Sequence, residues 1–327
     1  MLSGTRVLVT GAGGFIGSHL VERLEAEGAT VTALVRYRSD GRAGWLETSP
    51  ARARIQVRTG DVCDQESVLR AMDGCDIVCH LAALIGIPYS YEAPRSYVRT
   101  NVEGTLNILE AARRVGVRRV VHTSTSEVYG TPDEVPISER HPLKGQSPYS
   151  ASKIGADMMA ESYHRSFETP VVILRPFNTY GPRQSARAVL PTILSQLLSG
   201  APVLRLGALT PRCDLTYVDD TVDGFVRAAT ADGAVGRTIQ LGTGRDVSVE
   251  ELARMAMAAV GRVVPIECEN ERVRPRDSEV QRLLSAPDLA ASVLGWRPRV
   301  DLEAGLAKTA DWVRANLHTY RSGEYSV

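Results

Sequence analysis

The chain opens on a short apolar run, Val7-Leu8-Val9, and similar runs recur over the first 180 residues, each followed by a longer segment of helical period. Short apolar runs alternating with amphipathic segments are the pattern of a parallel sheet with helical crossovers. The predicted strands are Arg6–Thr10, Val31–Val35, Arg54–Thr59, Ile77–His80, Arg119–His122 and Val171–Arg175, with helices over His19–Glu27 and Val102–Val115. The fold class is α/β, a doubly wound parallel sheet whose ligands lie outside the carboxyl ends of the strands.

After Tyr180 the rhythm breaks, because Gly181, Pro182, Pro191, Gly200, Pro202, Gly207 and Pro211 cut the chain into shorter elements. Asp219–Ala229 then reads as a helix and Thr238–Gly242 as one more buried strand, so the chain is expected to return to the first unit. Residues 1–179 and 219–247 are accordingly expected to form the larger, parallel-sheet domain, with 180–218 and 248–327 a smaller mixed α/β domain. There is no internal repeat, and the polar end Ser322–Val327 is expected to fray.

Composition narrows the partners. The 327 residues carry 38 basic and 38 acidic side chains and are 43% apolar. A net charge of zero lacks the clustered excess of Lys and Arg that meets nucleic acid or an acidic membrane, so neither partner is expected. No apolar stretch approaches the roughly 18 residues of a membrane span, and a strand begins within a few residues of Met1 where a leader would lie. A cytoplasmic location is expected. Cys63, Cys75, Cys79, Cys213 and Cys268 are scattered without a metal-binding spacing, which points to reduced, buried thiols and no metal.

Three motifs carry chemistry. Gly11, Gly14 and Gly17 follow the first strand and precede a helix expected from about Ser18, where glycines let the backbone approach a pyrophosphate at the positive helix end. Tyr149 and Lys153 stand four apart on one face of a helix that Ser147 and Pro148 should start. An ammonium beside a phenol, together with the positive nicotinamide of a bound cofactor, favours the phenolate, making Tyr149 a candidate base, although alone this spacing is also that of a surface pair. Finally, Thr123-Ser124-Thr125-Ser126-Glu127 closes the fifth strand, setting hydroxyls and one carboxylate where substrates lie in such sheets.

In this order the motifs resemble the extended short-chain dehydrogenase/reductase superfamily, in particular its NAD(P)-dependent nucleotide-sugar epimerases, dehydratases and decarboxylases. The likeness runs nearly the whole chain, through Asp61-Val62, His80-Leu81-Ala82-Ala83, Asn101, Arg175 to Gln184, Tyr217 to Asp220 and Leu294-Gly295-Trp296. Thr125-Ser126-Glu127-Val128-Tyr129 is similar to GDP-mannose 4,6-dehydratases and to the nucleotide-hexosamine 4,6-dehydratases of legionaminic acid synthesis. The latter likeness extends to Ile87 to Tyr91, Gln184 to Val189 and Ser278 to Val280. UDP-glucuronate decarboxylases carry a similar Thr-Ser-Glu string.

The resemblance implies a Rossmann-like fold and a catalytic set of Thr125, Ser126, Glu127, Tyr149 and Lys153. It implies cofactor contacts from Gly11, Gly14, Phe15, Ile16, Gly17, Asp61, Val62, Leu81, Ala82, Ala83, Asn101, Thr123 and Pro176, with Tyr149 and Lys153. Ser90, Thr125, Asn178, Gln184, Arg187, Val189, Arg212 and Arg274 would meet the nucleotide sugar. Two positions depart from the pattern. Ser126 stands where many dehydratases carry an Asp, so Glu127 has to act as base and then acid; Cys213 stands where relatives often carry an Arg, leaving Arg212 or, better matched, Arg274 for the diphosphate.

The acid that usually ends the second strand and holds the NAD ribose is absent. Arg36 stands there and suits the 2′-phosphate of NADP, which is preferred here over NAD. The expected reaction is 4,6-dehydration of a nucleotide hexose or N-acetylhexosamine. The alternatives are a UDP-glucuronate decarboxylase or 4-epimerase and, from another class, a non-catalytic NADP-sensing regulator. A homodimer is expected through Val102, Leu106, Leu109 and Ala112 of one helix and Met158, Met159 and Ala160 of another.

Overall fold

The computed structural model describes residues 2–320, so the expected fraying of Ser322–Val327 lies outside the described residues. The chain runs β1 (Arg6–Thr10), α1 (Phe15–Ala26), β2 (Thr30–Val35), β3 (Gln56–Thr59), α2 (Gln65–Met72) and β4 (Ile77–His80). Then come α3 (Ile87–Glu92), α4 (Pro94–Tyr97), α5 (Gly104–Val115), β5 (Arg119–Thr123), α6 (Pro148–Phe167) and β6 (Val171–Pro176). Beyond β6 the elements shorten: β7 (Asn178–Tyr180), α7 (Val189–Leu198), β8 (Leu204–Leu206), β9 (Arg212–Tyr217), α8 (Val218–Thr230), β10 (Thr238–Leu241) and β11 (Asp246–Ser248). The last are α9 (Val249–Val260), β12 (Ile266–Cys268), β13 (Arg282–Leu283) and α10 (Leu302–Ala315).

Seven strands form a parallel sheet in the order β3-β2-β1-β4-β5-β6-β10. The period-2 alternation of β1 explains how both faces are covered. Val7 and Val9 pack into a core with α1 and α8, while Leu8 packs into a second core with α2, α5 and α6. The order reverses between β1 and β4, where the connections leave on opposite faces and a crevice opens at the carboxyl ends. A smaller sheet of β11-β9-β13, with β7 also paired to β9, and a β8–β12 pair stand beside this crevice.

Some expectations shift. The third strand begins at Gln56, because Arg52–Arg54 coil into a 3₁₀ turn. The helix expected from Val102 starts its α-helical part at Gly104; Val98–Glu103 form a wider π turn, and the Thr105 hydroxyl bonds the Asn101 carbonyl at that junction. Three of the seven residues expected to join two copies are spent on the chain's own core, since Leu109, Ala112 and Ala160 are buried against the sheet. Met158 is exposed, and Val102, Leu106 and Met159 are half-buried. Of the cysteines, Cys75 and Cys79 are buried as expected, Cys63 and Cys213 are partly buried, and Cys268 is exposed; all five are free. Among the described residues no helix is long and apolar enough to cross a membrane.

Candidate active site

A cavity of about 1020 Å³ opens at the carboxyl ends of the central strands. On leaving β1 the chain turns at Gly11, whose φ of 66° is left-handed and where a Cβ would stand 2.8 Å from Ala82 N. At Gly17 a Cβ would lie 2.2 Å from Gly11 O. Side chains are excluded at both positions, which leaves the backbone free to approach a ligand. Gly14 is the N-cap of α1, three to four residues earlier than the start expected at Ser18, and no side chain caps the helix. Its first amides, with Phe15, Ile16 and Gly17 in the cavity wall, form an anion cradle at the positive helix end.

The other expected cofactor residues arrive from separate segments. Arg36 after β2, Asp61 and Val62 after β3, Leu81, Ala82 and Ala83 after β4, Thr123 at the end of β5 and Pro176 at the end of β6 all line this cavity. Thr123 Oγ1 is buried without a hydrogen-bond partner, a polar atom left for a ligand to satisfy. Glycine cradle, open helix end and orphaned hydroxyl together fit a nicotinamide dinucleotide. Asn101 corrects the expectation, because it is buried outside the cavity wall with its amide fully engaged. Its Oδ1 accepts from Leu84 N at 2.8 Å, and its Nδ2 donates to Leu84 O at 3.0 Å and to Ser152 Oγ at 2.9 Å. It therefore ties the loop after β4 to α6.

Helix α6 starts as the sequence predicts, with Ser147 as N-cap in a capping box with Ser150 and Pro148 in the first turn. One turn of helix then sets Tyr149 and Lys153 in the cavity wall beside Thr125, Ser126 and Glu127 from the end of β5. Lys153 Nζ donates to the Thr123 carbonyl at 2.6 Å, and burial draws the ammonium down to about 8 while Asp157 opposes. The expected lowering of Tyr149 by Lys153 is not what the chain supplies. Burial pushes the phenol up, the Thr125 hydroxyl works against this, and Glu127, Tyr97 and Asp157 add to the rise. The positive charge of an oxidised nicotinamide is what the phenol would need to work as a base near neutral pH.

Burial likewise raises Glu127 from its ordinary value, with Arg274 opposing and Glu279 adding. A carboxyl held up in this way can take and return a proton.

Asn178, Gln184, Arg187, Val189 and Arg274 also line the cavity, Arg274 Nη1 lying 3.2 Å from Glu279 Oε1. Ser90 and Arg212 do not line it. Ser90 is fully buried and its hydroxyl donates to Ile87 O inside α3. Arg212 pairs with Asp246 at 3.1 Å and Glu251 at 3.1 Å, because on β9 alternate side chains take opposite faces and Cys213 has the inward one. Several cavity residues were not assigned from sequence, Glu279 and Arg42 among them. Glu279 carried a usable signal, being an acid five residues after Arg274, whereas Arg42 sits in a polar loop with none.

The chain is similar to known proteins along nearly its whole length. Residues 8–309 match the family model described as GDP-mannose 4,6 dehydratase. A UDP-glucose 4-epimerase of Mycolicibacterium smegmatis is 38% identical over 314 residues, covering 94% of this chain and 98% of that protein. A dTDP-glucose 4,6-dehydratase of an Actinoplanes species is 35% identical over 318 residues, 95% of this chain and 98% of that one. Among solved structures, the dTDP-glucose 4,6-dehydratase DesIV of Streptomyces venezuelae, with NAD bound, superposes with a TM-score of 0.87 at 32% identity, covering 97% of this chain and 99% of that chain. With its parallel sheet, glycine cradle and Tyr149–Lys153 pair, the chain belongs to the extended short-chain dehydrogenase/reductase family of nucleotide-sugar dehydratases and epimerases.

Proposed function

We propose that this protein is a nucleotide-sugar 4,6-dehydratase. The observation that carries the reading is Glu127, a carboxyl raised by burial in the same cavity wall as Tyr149 and Lys153. A 4-epimerase removes and returns one hydride at C4, for which the Tyr–Lys pair and a hydroxyl suffice; loss of water from C6 also requires a base at C5. Tyr149 takes the proton of the C4 hydroxyl, Thr125 holds the same oxygen, and Lys153 supplies positive charge beside them. When bound, the nicotinamide provides the hydride acceptor at C4 and the hydride donor at C6. Between these steps the C4 carbonyl acidifies the C5 hydrogen. Glu127 removes it and, with Ser126 beside it in place of a second acid, delivers a proton to the departing C6 hydroxyl. The product is a 4-keto-6-deoxy sugar, and the dinucleotide ends as it began.

In this reading residues 1–179 and 219–247 hold the dinucleotide, and 180–218 and 248–327 hold the sugar nucleotide. Arg274 serves the diphosphate, and Asn178, Gln184, Arg187 and Val189 line the remaining wall. Arg36 is exposed at the cavity edge with no ion-pair partner among the described residues, which favours NADP over NAD. The half-buried Val102, Leu106 and Met159 and the exposed Met158 support a homodimer, which light scattering at micromolar concentration tests, a monomer contradicting it.

Identity to a 4-epimerase favours one second reading, reversible inversion at C4. Mass spectrometry after parallel incubation with GDP-GlcNAc, UDP-GlcNAc, GDP-mannose and UDP-glucuronate separates the readings. A product lighter by one water supports dehydration. Unchanged mass with an inverted C4 means epimerisation, and loss of carbon dioxide means decarboxylation; either replaces the proposal.

A further inference from the structure

Behind Tyr149 and Lys153 lies a charge that the proposed reaction does not use. Asp157 stands on α6 one turn after Lys153 and has no exposed surface. Its carboxylate accepts four hydrogen bonds from side chains. His122 Nε2 donates to Oδ1 at 3.2 Å, while Oδ2 receives Ser124 Oγ at 2.6 Å, Arg175 Nε at 3.2 Å and Arg175 Nη2 at 2.9 Å. Because a carboxylate can only accept, His122 carries its proton on Nε2, and its buried, unpartnered Nδ1 is a bare lone pair. Arg175 is braced in turn by the Tyr129 hydroxyl at 3.1 Å and by the Tyr129 ring, 5.1 Å from the guanidinium.

The donors come from the two strands that flank the helix. His122 and Ser124 lie on either side of Thr123, whose carbonyl receives Lys153 Nζ, and the chain leads straight on to Thr125 and Glu127. Asp157 is thus a second point, with Lys153 itself, at which the helix bearing Tyr149 and Lys153 is joined to the strand end bearing Thr125 and Glu127. Burying a carboxylate costs several kcal/mol before its partners compensate, so a plain helix–strand contact would be made more cheaply by apolar side chains.

We infer that Asp157 is a positioning residue for the proposed dehydration: it holds the Tyr149–Lys153 helix in register with the Thr125–Glu127 strand end and sets a buried carboxylate one helical turn from Lys153. The inference rests on the reading of Tyr149 and Lys153 given above. The groups around Lys153 single out this anion. On α6 they are Asp157 and neutral Tyr149; from β4 and β5 come His80 and His122, both kept neutral by burial; from β6 Arg175 reaches Asp157. Burial raises the Asp157 carboxyl, but the His122 hydrogen bond, Arg175 and Lys153 outweigh it and hold the group down to about 2, so it is charged throughout the working range.

Replacing the carboxylate by an amide lowers the proton affinity of Lys153. Activity that needs the ammonium is then lost at lower pH as the pH rises. The test uses the full chain with its dinucleotide and whichever of the four nucleotide sugars is converted, with kcat and KM followed from about pH 6 to pH 10. In Asp157→Asn the alkaline limb of kcat should move down by about one pH unit, with kcat reduced and KM within about threefold of the unaltered protein. Since Arg175 is left unpaired in that variant, Asp157→Asn/Arg175→Met removes both buried charges and should fold while keeping the lowered limb. Ser124→Ala loosens the joint but keeps the carboxylate, so its alkaline limb should stay in place. If the limb is unmoved in both Asp157 variants the inference is overturned, whereas failure of the unaltered protein to convert any of the sugars overturns the dehydratase reading instead.

Discussion

Asp157 and Asp214 are both carboxylates with no exposed surface, and each gathers donors from several segments, yet their surroundings differ in kind. Asp214 on β9 accepts from the amides and hydroxyls of Thr243 and Ser285 and from the Gly244 amide. All are neutral groups of loops beyond β10 and β13, and the result is a pin between segments. Asp157 accepts from an arginine, a histidine and a serine, with a lysine one turn away in the cavity wall. One carboxylate organises backbone, the other organises charge. In the proposed reading the cavity wall of the large sheet, braced by Asp157, carries the reacting groups, whereas the wall from β9 and the segment around Arg274 carries groups suited to recognition.

That division is broken or sharpened by substitutions on each side. The largest effect belongs to the sheet side: Tyr149→Phe should lower kcat about 10³-fold with KM nearly unchanged, in a steady-state assay of product formation. Next, Asp214→Ala should cost about 3 kcal/mol of stability by stranding buried donors, seen as a melting point lower by several degrees. The folded fraction should keep its pH profile, unlike Asp157→Asn; a moved alkaline limb here would erase the contrast. Arg274→Ala should raise KM about tenfold or more and leave kcat within a few-fold, as removal of a charge-assisted phosphate contact does. The smallest change is Arg36→Ala, which should weaken NADP about tenfold and NAD hardly at all in equilibrium titrations. Equal weakening of both would show that Arg36 meets only solvent.

The same contrast governs what could be read from the sequence. Tyr149 and Lys153 were legible because the i, i+4 spacing on a capped helix fixes their shared face whatever the fold does around them. The glycine turn was legible for a similar reason, being contiguous, although its helix begins earlier than the apolar pattern suggested. Asp157 has the same i, i+4 relation to Lys153, but an acid in a helix ordinarily faces water, and its burial depends on His122 and Arg175 from two other strands. Arg212 was misjudged because a period of two leaves either face of β9 open until the Asp246 and Glu251 partners are seen. Asn101 and Ser90 were assigned to ligands, yet their polar atoms are satisfied within the chain, an accounting that only the folded structure allows.

The account depends most on Glu127 as the C5 base, and a single turnover of Glu127→Gln with dinucleotide and a converted nucleotide sugar in deuterated water tests it. Hydride removal at C4 uses Tyr149, Lys153 and Thr125, so reduced dinucleotide should accumulate, while deuterium uptake at C5 and water loss from C6 fall by about 10²-fold or more. Dehydration by this variant at nearly the normal rate would contradict the account and leave Glu127 as no more than part of the cavity wall.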